Sequence, residues 1–287
     1  MMQLLSSSPL ALIIVCGILG LLVGSFLNVV VYRLPVMLER RWRADCQETA
    51  DIEADNGERF NLVTPASTCP HCGHRIRPWE NIPVVSYLLL RGRCVDCKTP
   101  ISAQYPLVEL ATGLLSAVAA WQLGFGWPLL AALVFTWTLI ALTAIDYNTQ
   151  LLPDDLTLPL LWLGLLVNTG GLFATPVSAI WGAAVGYLSL WLVYHLFRLA
   201  TGKEGMGYGD FKLLAAIGAW CGWQVLPLTI ILSSVIGATV GIILILLRRQ
   251  QRGTPIPFGP FLAGAGWISL FWGDVLMQAW LRLSMPG

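Results

Sequence analysis

Eight apolar runs, most of them close to 20 residues long, constrain this chain more than any other feature. They lie near residues 9–31, 104–123, 127–145, 156–173, 177–198, 211–222, 225–247 and 258–280. A hydrocarbon core of about 30 Å takes about 20 apolar residues to cross as a helix. The pattern therefore predicts an all-α polytopic membrane protein with about eight transmembrane helices. The run at 211–222 is the weakest, being short and interrupted by glycine. Composition agrees: 11% of residues are charged and mean hydropathy is +0.70, whereas a soluble domain carries about 25% charged residues. A net charge of +1 provides no global field for a nucleic-acid partner.

The charges are not spread evenly. Residues 33–98 hold ten of the 17 Lys/Arg and nine of the 16 Asp/Glu, which marks a small soluble segment inserted between the first and second spans. Met1 to Ser8 has no basic side chain and the following run is too long for a signal-peptide core, so the first run reads as a retained span. Arg33, Arg40, Arg41 and Arg43 follow it, which puts that side in the cytoplasm and the N-terminus outside. The links at 124–127 and 174–176 lack charge, as suits the outer face. Those at 199–210 and 248–257, with Arg198, Lys203, Arg248, Arg249 and Arg252, suit the cytoplasm. The chain then divides into a first helix (1–32), a cytoplasmic segment (33–103) and a seven-helix membrane domain (104–287). Residues 44–59, acidic and polar, read as a flexible excursion.

Within the soluble segment, Cys69-Pro70-His71-Cys72 and Cys94-Val95-Asp96-Cys97 form two CxxC pairs with 21 residues between them. Each pair can place two thiolates on one ion through a tight turn, and two such knuckles complete the closed tetrahedral site of a structural zinc. Gly73 and Lys98, which follow the pairs, suit the turns. Disulfides are disfavoured in a reducing cytoplasm. His71 and His74 are alternative ligands that four thiolates make unnecessary. Cys16, Cys46 and Cys221 follow no ligand pattern.

Two aspartates stand at the ends of apolar runs. An ionisable group at membrane depth costs about 2.5–3.5 kcal/mol on insertion scales and marks a functional site by default. Asp146 closes one run, where a carboxylate opposes the helix dipole, so capping does not explain it. Asp210 follows Gly205, Gly207 and Gly209. The glycines offer a bend and close approach for an extended peptide, although an N-cap is the simpler alternative. Asp154 and Asp155, after Pro153, read as N-cap residues. If Asp146 and Asp210 meet across the 64 positions between them, they form an acid–base pair sharing a proton. Glu109 is expected to pair with an arginine, Asn28 to act as interhelical glue, and the Glu80-Asn81-Ile82-Pro83 stretch to be a loop beside the cysteines.

In order and combination, these motifs closely resemble the type IV prepilin peptidase family. The landmarks are Gly24-Ser25-Phe26-Leu27-Asn28, both CxxC pairs, Glu80-Asn81-Ile82-Pro83, Arg91-Gly92-Arg93-Cys94, Asp146 with Leu152-Pro153-Asp154, Gly207-Tyr208-Gly209-Asp210 and Pro257-Phe258-Gly259-Pro260. The resemblance implies a bifunctional GxGD-type aspartic protease and N-methyltransferase of the bacterial inner membrane. Such an enzyme cuts a short basic leader from prepilins or type II secretion pseudopilins at the cytoplasmic face. It then methylates the new N-terminal residue, usually Phe, with S-adenosylmethionine. The resemblance makes Asp146 and Asp210 the protease dyad and assigns the four-cysteine zinc segment to methyl transfer. Glu80 and Gly92 are the candidates for the methyl-donor site, with Glu80 able to take the amine's proton. The chain has no GxGxxG from which to locate that site. A GxGD protease of the presenilin kind and a proton- or ion-carrying transporter are the rival readings. Oligomeric state is not set by the sequence.

Overall fold

The computed structural model describes residues 7–49, 60–247 and 256–284. Arg248, Arg249 and Arg252 of the expected cytoplasmic link, and residues 50–59 of the expected excursion, lie outside these. Among the described residues the chain is helical, with no strand and only two isolated antiparallel bridges, Thr68–Arg75 and Arg93–Pro100. It forms two compact units, Met1–Leu129 and Leu130–Gly287.

The first unit contains α1 (Pro9–Thr49), the short α2 (Val85–Leu89) and α3 (Gln104–Leu123), with the cysteine segment between α1 and α3. With 41 residues, α1 is about 60 Å long, twice the hydrocarbon thickness. The apolar run ends near Arg33, but the helix continues through Pro35 and takes in residues 44–49 of the expected excursion. Tertiary contacts hold this extension. Leu34 and Leu38 are buried, Arg33 donates to the carbonyls of Asn61 (2.9 Å) and Pro65 (2.6 Å), and Arg40 stacks over Phe60 at 4.4 Å. Asn28 donates to the carbonyl of Tyr105 at 3.1 Å, the interhelical link expected of it. Thr112 and Ser116 return their hydroxyls to carbonyls one turn back, which satisfies them inside an apolar helix pair.

The second unit contains most of α4 (Trp127–Thr149), then α5 (Asp154–Val167), α6 (Pro176–Thr201), α7 (Tyr208–Cys221), α8 (Leu226–Leu246) and α9 (Gly259–Ser284). Pro128, Pro176 and Pro227 each sit in a first helical turn, where the missing N–H has no partner to lose. Among the described residues six helices are long and apolar enough to cross a membrane: α1, α3, α4, α6, α8 and α9. The chain is thus a multi-pass membrane protein. The expected spans at 156–173 and 211–222 are the 14-residue helices α5 and α7, each about 21 Å long.

One side chain ties the ends of these two short helices together. Asn168 is fully buried just past α5. Its amide donates to the carbonyls of Ala219 and Trp220 at the end of α7. Its oxygen accepts from the backbone of Phe173 and Ala174. The last carbonyls of α7 are thereby satisfied without another turn. Helix α7 is the centre of the unit: Phe211, Leu213, Leu214, Ile217 and Trp220 are fully buried. Gly218 and Gly182 of α6 face one another, and a Cβ on either would collide with the other's carbonyl. Trp220 donates to the Leu160 carbonyl at 2.8 Å and packs against Phe135.

Candidate functional site

In the second unit, the chain brings Asp146 and Asp210 together. Asp146 lies in the last turn of α4, 5% exposed, and Asp210 in the first turn of α7, 8% exposed. Asp146 is the charged neighbour acting on Asp210. A Cβ on Gly209 would lie 2.7 Å from Leu152 and one on Gly259 3.3 Å from it, so the starts of α7 and α9 converge on one side chain. The Asp146 Oδ2 accepts from the Gly259 N–H at 3.0 Å. A Cβ on Gly259 would lie 2.6 Å from that oxygen, so only glycine permits the approach. Asp210 differs. Its Oδ1 is buried and has no hydrogen-bond partner among the described residues.

The capping alternatives fail. The N-cap of α7 is Gly207 and Asp210 is the third helical residue, with no side-chain cap bond. Gly207 has φ −83° and ψ 151°, a conformation open to any residue, so the expected bend does not require glycine there. Pro153 is the N-cap of α5. Asp154 instead accepts from Lys212 at 2.6 and 2.8 Å. Gly259 was legible only as part of a family landmark. Its physical signal was a span opening on Gly-Pro, where a helix start leaves a free N–H for a carboxylate.

In the first unit, the two CxxC pairs fold as matching knuckles. Cys69 N donates to His74 O and Gly73 N to Cys69 O; Cys94 N donates to Thr99 O and Lys98 N to Cys94 O. Gly73 and Lys98 hold the equivalent left-handed positions, at φ 71° and 59°. The four sulfurs lie within 4.8 Å of one another, with Cys69–Cys97 at 3.8 Å and Cys72–Cys94 at 3.9 Å. A tetrahedral Zn–S bond of about 2.3 Å implies sulfur separations of about 3.8 Å. The cluster therefore suits zinc. The Thr99 hydroxyl and backbone bring Cys97 down to about 6. At Cys72 the His74 backbone favours the thiolate, but desolvation and three neighbouring sulfurs prevail and push it up to about 12. Four thiolates this close repel one another and need a cation before all can ionise.

Neither histidine is needed as a ligand. His71 is exposed, and His74 spans the knuckles, with Nε2 on Glu80 (3.0 Å) and Nδ1 on Asp96 (2.8 Å). The Glu80 hydrogen bond raises the pKa of His74. The Arg77 N–H and His74 lower that of Glu80, which makes its carboxylate a weaker proton acceptor. Gly92 turns the chain with φ 66° beneath the Tyr87 ring. A cleft of 490 Å³ runs beside the knuckles, lined by Ser67, His74, Arg75, Arg77 and Asn81 among others. Among the described residues Glu109 does not meet an arginine. It accepts from the Val84 N–H at 2.7 Å and is bonded to Ser25.

Each cluster lies within a segment that matches a known family model. Residues 18–123 match the bacterial peptidase A24 N-terminal domain and residues 133–242 the type IV leader peptidase family. A prepilin leader peptidase/N-methyltransferase of Stutzerimonas stutzeri is 58% identical over 283 residues, 98% of each chain. Proteins of the same description from Pseudomonas aeruginosa and Aeromonas hydrophila are each 58% identical, the first over 99% of this chain and 98% of its own, the second over 91% of both. No solved structure matches. Two adjoining domain matches and relatives aligned along almost the entire length establish that the chain belongs to the type IV prepilin leader peptidase family.

Proposed function

We propose that this protein removes the basic leader of type IV prepilins or type II secretion pseudopilins with Asp146 and Asp210, and then methylates the exposed N-terminus with S-adenosylmethionine. The observation that carries the protease assignment is the buried, unpartnered Oδ1 of Asp210 beside an Asp146 held in place by the Gly259 N–H. Like carboxylates at short range share one proton. The ionised member takes a proton from water as the water attacks the scissile carbonyl, while the protonated member donates to the carbonyl oxygen. The proton then passes to the leaving amine. We place both activities at the cytoplasmic face of the inner membrane, where a basic leader stays by the charge rule that orients the enzyme.

Methyl transfer is assigned to the cysteine-bearing unit. Cys69, Cys72, Cys94 and Cys97 would hold a structural zinc, which leaves no open position for catalysis and fixes the knuckles. The neighbouring cleft has the volume of an ordinary ligand pocket (about 300–1,000 Å³), and Arg75 and Arg77 on its wall supply cations for the donor's carboxylate. Bound there, S-adenosylmethionine supplies an activated methyl group to a neutral amine. Glu80 and Gly92 remain candidates for its surroundings.

Incubating the purified protein with a prepilin and labelled donor should give a shortened, labelled product. Ion flux in liposomes with no proteolysis would overturn the reading in favour of a transporter. Gly259→Ala gives a sharper check on the dyad. The added methyl must displace Asp146, so cleavage should fall by about 10²-fold, the cost of a misplaced catalytic group, while zinc content and methylation of a pre-cleaved substrate stay unchanged.

A further inference from the structure

Glu109 is a buried carboxylate with no evident task. It lies on α3, 7% exposed, at a depth where a charge left without partners would be expensive. Both of its known partners lead to one loop. Its Oε2 accepts from Val84 N at 2.7 Å. Its other partner, the Ser25 hydroxyl of α1, accepts from Asn81 Nδ2 at 3.0 Å. The loop 81–84, between the 3₁₀ turn Pro78–Asn81 and α2, is thus held at both ends by one hydrogen-bond circuit anchored on the buried Glu109 and Ser25.

That loop is under strain. Val84 has φ 60° and ψ −44°, and Val85 N donates to Pro83 O at 2.6 Å. This is a γ-turn of the rare positive-φ type, centred on a β-branched residue for which positive φ is a genuine outlier. Such a conformation persists only where its surroundings over-determine it. The Glu109 carboxylate, on the N–H of the strained residue itself, is the group that does so. Upstream, the turn begins at Pro78, which lines the cleft together with Asn81.

We infer that Glu109 is a positioning residue for methyl transfer, holding the strained Asn81–Val84 turn whose first residue, Asn81, lines the cleft beside the zinc knuckles. The inference rests on the assignment of methyl transfer to this unit. It joins three stretches, Ser25, Asn81–Val84 and Glu109, that the dyad and the zinc site leave unused.

The test uses the full-length protein with leader cleavage, methylation of a pre-cleaved substrate and zinc content measured side by side. Glu109→Ala should lower methylation about tenfold or more, the effect of one lost charge-assisted hydrogen bond, with cleavage and zinc unchanged. Glycine adopts φ near 60° freely, so Val84→Gly in the Glu109→Ala background should recover most of the lost rate. Val84→Ala, which keeps the strain, should recover none. If Glu109→Ala does not yield folded protein, Ser25→Ala with and without Val84→Gly is judged by the same criterion. Wild-type methylation in the carboxylate variant, equal behaviour of the glycine and alanine variants, or parallel loss of cleavage and zinc would each overturn the role. Cys97→Ser in the same assay separates the two readings. If it methylates normally, the location of methyl transfer is wrong. If it fails while Glu109→Ala does not, only the positioning role is.

Discussion

Asp146→Asn and Asp210→Asn should each reduce leader cleavage by about 10²–10⁴-fold or more, the range lost with a general acid or base, and neither should unfold the protein. In Asp146→Asn the amide oxygen still accepts the Gly259 N–H. Asp210→Asn removes charge from a buried carboxylate whose Oδ1 has no partner among the described residues, and relieving such a group is neutral or stabilising. Its thermal midpoint should therefore equal or exceed that of the wild type. This is the expected trade of an active site, where stability is given up for a poised group. The check is a cleavage assay on purified variants together with a melting curve. Substantial residual cleavage in either variant removes it from the dyad.

The second large effect is expected at the metal. Cys72→Ser or Cys97→Ser should abolish stoichiometric zinc and reduce methylation at least about tenfold, while cleavage persists. The four sulfurs sit at the separations zinc imposes, and structural zinc binding is worth about 10–16 kcal/mol in small zinc-finger domains. Removing one thiolate opens the site and frees the knuckles that Asp96 and Glu80 clasp through His74. Metal content by mass spectrometry and label transfer to a pre-cleaved substrate are the two readouts. Unchanged zinc in both variants would falsify the four-cysteine site. Because the dyad belongs to the other compact unit, loss of cleavage in step with zinc would contradict the division of labour.

The sequence was most readable where the physics is local. Apolar runs gave the helices, because a bilayer leaves the backbone few other choices. CxxC spacing indicated the knuckles, with Gly73 and Lys98 at their turns; that both residues are left-handed came from the structure. The dipole argument separated Asp146 from capping residues. What sequence did not reveal depends on distant partners. Helix α1 outruns its apolar stretch because residues 60–65 fold back on it, a tertiary effect with no signature at Arg33 or Pro35. Asn168, which the expected run 156–173 passed straight through, ends α5 and caps α7, and nothing in its own sequence neighbourhood names those distant carbonyls. Asp154 was expected to cap a helix, but its partner is Lys212, 58 positions away. Glu109 was expected to find an arginine, but found a backbone N–H and a serine, since a carboxylate's partner type cannot be read from its own sequence neighbourhood.

The central claim is that cleavage and methylation use separate machinery. The most direct measurement is transfer of labelled methyl from S-adenosylmethionine to a pre-cleaved pilin by the Asp146→Asn/Asp210→Asn double variant, with the intact prepilin as a parallel substrate. The account predicts wild-type label transfer to the pre-cleaved pilin and neither cleavage nor label on the intact prepilin. Loss of label transfer to the pre-cleaved pilin, from a protein that still folds and binds zinc, would contradict it.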